Sequence, residues 1–225
     1  MNINAPSLTP PFVYTPPMDP LRIHFIDEVI IVIEKLSGLL TVPGKAEGHQ
    51  DCLESRIKQD YADARVVHRL DMDTSGLIVL ARTADAHRHL GLQFEKRYVD
   101  KTYEALVWGL VEPNSGAIDK PLRCDWPNRP KQMIDFELGR SAMTKFEVIE
   151  RCEDRTRVKL HPLTGRSHQL RVHMLDLGHP ILGDNLYAHR QAHDASSRLC
   201  LHANGLRFRH PNGGKHMTFV SECPF

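Results

Sequence analysis

The sequence predicts an α+β domain built on a largely antiparallel, mixed sheet with flanking helices. Three observations lead there. Runs of strand length, apolar or alternating, recur from Arg22 to Phe208. Only a few stretches repeat apolar residues at helical spacing. The connections are of mixed length, with no internal repeat or low-complexity tract among them. At 225 residues with 41% hydrophobic side chains the chain can bury a sizeable core. It reads as a proline-rich arm over residues 1–20 followed by one domain over residues 21–225.

In the arm, Pro6, Pro10, Pro11, Pro16, Pro17 and Pro20 deny regular hydrogen bonding and favour an extended, loosely ordered segment. Over residues 22–34 the apolar pattern breaks at Asp27 and Glu28, which predicts a strand, a tight turn and a second strand. Turns follow at Ser37-Gly38 and Pro43-Gly44, and residues 51–61 read as a helix. Leu77, Ile78, Val79 and Leu80 form a continuous apolar run suited to a buried strand. Residues 84–97 read as a helix because Ala86, Leu90 and Phe94 recur at helical spacing, with Gly91 tolerated inside it at a modest cost. Residues 101–110, 141–149 and 155–160 read as strands. Thr164-Gly165 then makes a turn, and Leu170, Met174 and Leu177 mark one face of a helix closed by Gly178. Residues 199–202 and 206–208 are the last strands predicted.

Twenty-nine basic against 28 acidic residues leave a formal net charge of +1, too balanced to announce a nucleic-acid partner by bulk electrostatics. RNA binding, if present, must therefore use a local patch. The segment RCDWPNRPKQ, residues 123–132, sets Arg123, Arg129 and Lys131 around Trp126 with only Asp125 opposing. Such basic groups neutralise phosphates while an aromatic face stacks on an unpaired base; the bland alternative is a proline-braced surface loop with solvated charges. Five cysteines (Cys52, Cys124, Cys152, Cys200, Cys223) are scattered and never spaced CxxC, which argues against a disulfide framework and a structural zinc site. Apolar runs such as residues 29–33 are far shorter than a membrane span, and the basic-then-apolar layout of a signal peptide is missing at the start. A soluble, cytoplasmic protein is expected.

Two blocks carry the chemistry. HRLDMDTSGLIVLA, residues 68–81, places Asp71 at the end of a short polar loop anchored by the strand that follows. A carboxylate held that way can act as a nucleophile. Arg69 stands two residues before it, and Thr74, Ser75 and Gly76 supply hydroxyls and a permissive backbone ahead of the strand. The second block is VKLHPLTGRSHQLRVHMLDLGHPILGD, residues 158–184. Arg166 falls at the start of its helix, where the dipole gives a cation no help. Its planar guanidinium invites a carboxylate such as Asp71, gripped through two parallel hydrogen bonds. The competing reading is a surface arginine bonded to solvent or to a loop carbonyl. His161, His168, His173 and His179 crowd the same block and raise a metallohydrolase as a rival. His168 and His173 are five apart and share no helix face, and no HExxH string occurs, so that rival has little support.

HRLDMDTSGLIVLA resembles the signature of RluA-type pseudouridine synthases, and the unbroken string GRSHQLRVH and the loop RCDWPNRPKQ resemble the same family. The resemblance runs from about Arg22 to the C-terminus and is greatest to short members without a separate N-terminal RNA-binding domain. It departs at Lys35-Leu36, where many relatives carry Lys-Pro, so one local brace of that turn is missing. The resemblance implies a pseudouridine synthase catalytic fold around a central RNA-binding cleft, with Asp71 attacking the target uridine and Arg166 paired to it. Tyr103, matched through Lys101, Tyr103, Ala105 and Val107, would stack on the flipped base and pass a proton late in the reaction. Considered alone, a strand tyrosine is more often a core or rim residue. Arg69 matches the arginine that enters the RNA stack where the target uridine was, and Arg123, Trp126, Arg129 and Lys131 would contact RNA.

The reaction so implied breaks the bond from ribose to N1 of uracil, turns the base and rejoins the sugar to C5. The base must first leave the stack, at a cost of about a few kcal/mol. Asp71 then attacks the ribose carbon, or removes a sugar proton to give a glycal; residue identity leaves both routes open. Either route needs a charged carboxylate, which burial opposes and a neighbouring arginine favours. No metal, redox group or nucleotide cofactor is expected. The expected partners are RNAs, namely large-subunit ribosomal RNA and the anticodon stem-loop of tRNA, with no membrane and no obligate protein partner. A rival of another class is a non-catalytic RNA-binding module of the same fold, which would have no need to keep Asp71, Tyr103 and Arg166 together.

Overall fold

The computed structural model describes residues 13–225. Among them the elements run β1 (Arg22–Ile26), β2 (Ile30–Lys35), α1 (Leu53–Asp60), β3 (Arg65–Val66), β4 (Ser75–Ala81), α2 (Ala84–Glu95), β5 (Asp100–Trp108), β6 (Ser115–Asp119), β7 (Leu122–Cys124), β8 (Gln132–Ile134), β9 (Met143–Arg151), β10 (Arg155–Pro162), α3 (Gln169–Asp176), α4 (Arg190–Asp194), β11 (Leu201–Arg209) and β12 (His216–Val220). Ten strands form one sheet in the order β1-β2-β4-β11-β5-β10-β9-β6, with β3 added to β4 and β12 to β11. Strands β7 and β8 make a separate hairpin. Within the large sheet β4 and β11 run parallel and the other pairings are antiparallel. The α+β class follows from the pattern read in the sequence.

Strands β2 and β4 carry continuous apolar runs, Ile30 to Ile33 and Leu77 to Ala81, because both of their faces are covered. Ile30, Val32, Leu77 and Val79 meet Ala86 and Leu90 of α2 on one side, while Ile31, Ile33, Ile78 and Leu80 meet Leu53 and Ile57 of α1 on the other. Each such side chain contributes about 1.5–3 kcal/mol on burial. Thr83 starts α2 by accepting the Ala86 N–H, which fixes the helix over β4. In the C-terminal half a third core joins Ala105 and Val107 of β5 and Val158 and Leu160 of β10 to Leu170 and Met174 of α3.

The two halves of the sheet meet where β4 lies beside β11, Ser75 opposite His202 and Gly76 opposite Ala203. Gly76 has φ +117°, and a Cβ there would sit 2.4 Å from the Ala203 carbonyl oxygen, so only glycine lets the strands approach. That seam positions the loop before β4.

Several elements depart from expectation. The two last strands predicted are one, β11, broken by a register shift between His202 and Gly205 where Asn204-Gly205 gives a turn-like signal inside a strand. Strand β12 and the short strands β3, β6, β7 and β8 are held by their neighbours and carry too few alternating residues to stand out in sequence. Within the arm, residues 1–12 lie outside the described residues. Residues 13–20 form no helix or strand, yet the Tyr14 hydroxyl donates to the Asp51 carbonyl at 2.9 Å and accepts the Leu40 N–H at 3.0 Å, a tether where loose order was expected.

Candidate active site

The Asp71 loop is fixed by its own backbone. Thr41 Oγ1 donates to the Leu70 carbonyl (2.8 Å), Gly38 N and Lys35 Nζ donate to the Met72 carbonyl (3.0 and 2.7 Å), and Ser37 Oγ donates to the Asp73 carbonyl (2.7 Å). Lys35 is fully buried, and its Nζ also donates to the Leu36 and Leu39 carbonyls (2.8 and 2.7 Å), three acceptors for an ammonium group with three protons. Burial pushes this amine down to about 7, with the charges of Asp73 and Asp71 opposing the fall. On the other side, His68 Nε2 accepts the Val79 N–H at 3.2 Å and its ring stacks on Phe94. Burial drives His68 down to about 3, so it is neutral as that bond requires. Sequence reading missed Lys35, Ser37, Thr41 and His68. Lys35 was the traceable one, since a lysine that follows the apolar run Ile30 to Ile33 and ends the strand has to find carbonyls or carboxylates.

The arginine beside Asp71 is Arg171, which corrects the pairing expected of Arg166. Arg171 Nη1 lies 3.8 Å from Asp71 Oδ2. The bidentate grip goes instead to Asp184, with Nε and Nη2 at 2.7 and 2.6 Å from its two oxygens, and Nη2 also reaches Asn185 Oδ1 at 3.2 Å. Burial works against the Arg171 charge, but the hydrogen bonds and charge of Asp184, with the charges of Asp71 and Tyr187, together offset it, so the Arg171 pKa is raised. Asp184 is itself 1% exposed and accepts the Leu186 and Tyr187 backbone N–H groups, so it is a rigid anchor. Arg166 lies in the turn before α3 because the helix begins only at Gln169. Its Nε donates to the Ser141 carbonyl at 3.1 Å, as the loop-carbonyl alternative had it. The structure shows why Arg171 is the site arginine: all of residues 169–174 are buried, so this helix is not one-sided, and a buried arginine requires an anion.

Tyr103, on β5, is half-buried against the C-terminal core. Burial, and then the charge of Asp71, hold its phenol well above the ordinary tyrosine value, so it acts as a neutral hydroxyl. Asp73 is a second carboxylate in the loop; burial raises its pKa against the charges of Arg171 and Lys35, and Asn185 Nδ2 bonds it at 3.3 Å. Tyr187 lies under the Arg171 guanidinium, 5.1 Å from ring centre to Cζ. Its hydroxyl accepts the Gln132 N–H of β8 at 2.7 Å and bonds His168 Nδ1 at 2.7 Å. The β7–β8 hairpin is thus tied to the site through one phenol that sequence reading did not single out.

Arg69 is exposed and lines an open cleft of about 560 Å³ with Lys58, Arg65, His68 and His87. In the hairpin, Trp126 is 64% exposed, with the Arg129 guanidinium 4.6 Å over one ring face. Lys131 is half-buried beside them, whereas Arg123 is bound to the Asp135 carboxylate and presents a paired charge. The four histidines of the second block take separate partners. His168 bonds Tyr187, His173 bonds Thr144 and the Lys120 carbonyl, His179 bonds the Trp108 carbonyl, and His161 lies 3.9 Å from Glu147. No group of three or more His, Cys, Asp or Glu side chains among the described residues could hold a metal ion. The five cysteines are free thiols, and no helix of the described residues is long and apolar enough to cross a membrane.

Residues 29–176 match the family described as RNA pseudouridylate synthase. The chain is 53% identical over 214 residues to the dual-specificity RNA pseudouridine synthase RluA of Escherichia coli K12, covering 94% of this chain and 98% of that protein. It is 50% identical, with the same coverage, to the protein of that name in Haemophilus influenzae. Human RNA pseudouridylate synthase domain containing 1 is similar in structure, with a TM-score of 0.77 at 28% identity over 92% of this chain and 87% of the human one.

Proposed function

The chain belongs to the RNA pseudouridylate synthase family and is an isomerase that forms pseudouridine in RNA; we propose that Asp71 is its nucleophile, with Arg171 as the partner that orients the carboxylate. The observation carrying this reading is the 3.8 Å approach of Arg171 to Asp71 while the same guanidinium is locked on buried Asp184. A cation fixed at that distance complements the carboxylate and holds its direction toward the substrate. Tyr103, neutral and near Asp71, supplies a ring face for the extruded base and a hydroxyl. Arg69, exposed two residues from Asp71, fills the gap left in the RNA stack. Trp126, Arg129 and Lys131 hold the flanking RNA by stacking and phosphate contact. Arg123 contributes through its Asp135 pair, which braces the hairpin.

The relatives in Escherichia coli and Haemophilus influenzae are described as dual-specificity enzymes. By that likeness this chain acts on two kinds of RNA, for which the motif resemblance offers large-subunit ribosomal RNA and the anticodon stem-loop of tRNA. Pseudouridine mapping in total RNA from cells with and without this gene tests it. Loss of one site in each class is expected; loss in a single class would remove the dual assignment, and no loss would remove the substrates altogether.

A further inference from the structure

His168 stands apart from the other histidines. It precedes α3 with φ +53°, a left-handed backbone that costs a non-glycine residue energy and is kept where surrounding contacts impose it. Its ring meets Tyr187 edge-on, with Nδ1 2.7 Å from the phenol oxygen. Tyr187 Oη already accepts the Gln132 N–H, so its own proton is the one available for Nδ1. The opposite arrangement, with Nδ1 as donor, would give the phenol two donors and leave its proton without an acceptor. The network therefore assigns the imidazole proton to Nε2, and Nε2 has no partner among the described residues. Burial lowers the pKa of the ring, with the charge of Asp71 opposing, so it is neutral.

We propose that His168 is a catalytic hydrogen-bond donor, its Nε2–H engaging a carbonyl oxygen of the extruded uracil, and that Tyr187 is the positioning residue that fixes the donor tautomer. The inference rests on the uridine isomerisation assigned above. When the ribose–N1 bond breaks, its electron pair leaves with the base and spreads over N1, O2 and O4. A donor on either oxygen shares that charge without giving up its proton, and the contact weakens again as C5 rejoins the sugar. This contribution is the same whether Asp71 attacks the ribose or removes its proton. Such a contact strengthens in the transition state, so its loss lowers turnover more than affinity.

The test compares the single-turnover rate of pseudouridine formation and the RNA Kd for the wild type, His168→Ala, His168→Asn and Tyr187→Phe. Asparagine suits the left-handed backbone but is too short to reach where Nε2 lies. Both His168 variants should lose on the order of ten- to a hundredfold in rate with Kd changed less than about twofold. Tyr187→Phe keeps the ring under Arg171 and should shift the His168 imidazole nitrogen spectrum away from the Nε2–H tautomer, with a smaller loss of rate. Wild-type spectra showing the proton on Nδ1 would overturn the proposal. So would folded His168 variants at full rate, or equal losses in rate and affinity. If neither His168 variant folds, Tyr187→Phe decides: a shifted tautomer with a lowered single-turnover rate supports the proposal, and a shifted tautomer at full rate overturns it. A wild type that makes no pseudouridine would sink the functional reading instead.

Discussion

Arg171 and Arg166 lie five residues apart in one motif, and the structure gives them opposite consequences. In Arg171→Met the Asp184 carboxylate, 1% exposed, loses its bidentate partner while keeping two backbone donors. Stranding one member of a buried pair costs about 3–5 kcal/mol. At about 2–4 °C per kcal/mol for a chain of this size, Tm should fall by about 6–20 °C. The Asp71 contact at 3.8 Å is worth about 4 kcal/mol at an effective dielectric of 20 before solvent screening. With Asp71 27% exposed we discount that figure, which leaves a turnover loss of at least about a hundredfold. Arg166→Ala removes one hydrogen bond to the Ser141 carbonyl, so about 1 kcal/mol or less of stability and less than about threefold in turnover are expected. Thermal denaturation and single-turnover kinetics on both variants check this. An inactive Arg166→Ala beside an active, stable Arg171→Met would refute the assignment.

Lys35→Met leaves the buried Leu39 carbonyl without its donor and the Leu36 and Met72 carbonyls with one backbone N–H each, so it should cost about 1–3 kcal/mol, with slower turnover as the Met72 anchor is weakened. Because the buried amine sits at about 7 and an unfolded lysine near its ordinary value of about 10.4, the unfolded state binds more protons between them. Denaturant unfolding should therefore show the stability of the wild type relative to Lys35→Met rising from about pH 7 to about pH 10; a flat or falling difference would contradict it. His202, fully buried between Ser75 and Ser221 at the β4–β11 seam, is pushed down to about 4 by burial, with Glu34 opposing. The unfolded state takes up the proton first, so acidification from about pH 6.5 to about pH 4 should remove up to about 3 kcal/mol, and His202→Gln should show a shallower loss. His68, depressed in the same direction, accounts for part of the residual slope.

What was legible in the sequence were features encoded by consecutive residues. The run Leu77 to Leu80 announces a buried strand, and the turn residues ahead of it place Asp71 in a loop. Gly76 announces a permissive backbone, though not that β11 would pass 2.4 Å from the position of its missing Cβ. Illegible were partnerships across the fold. Arg171 and Asp184 are both buried and thirteen residues apart, and the choice between Arg171 and Arg166 depends on a helix beginning at Gln169 rather than three residues earlier. Helix starts are the least certain boundary in sequence, and here one turn of error moves the guanidinium from the site to a loop carbonyl. Tyr187 joins hairpin to site through a single phenol oxygen, which no local pattern marks.

The central claim is that the Asp71 carboxylate is the group that reacts with the ribose. Asp71→Asn keeps the side-chain volume and the loop's backbone bonds and removes only the charge, so single-turnover pseudouridine formation and RNA binding should be measured together on this variant, with Asp73→Asn alongside. The expected result is no detectable product from Asp71→Asn with a Kd close to that of the wild type, and product from Asp73→Asn. Wild-type product from Asp71→Asn, or its loss only from Asp73→Asn, would contradict the claim.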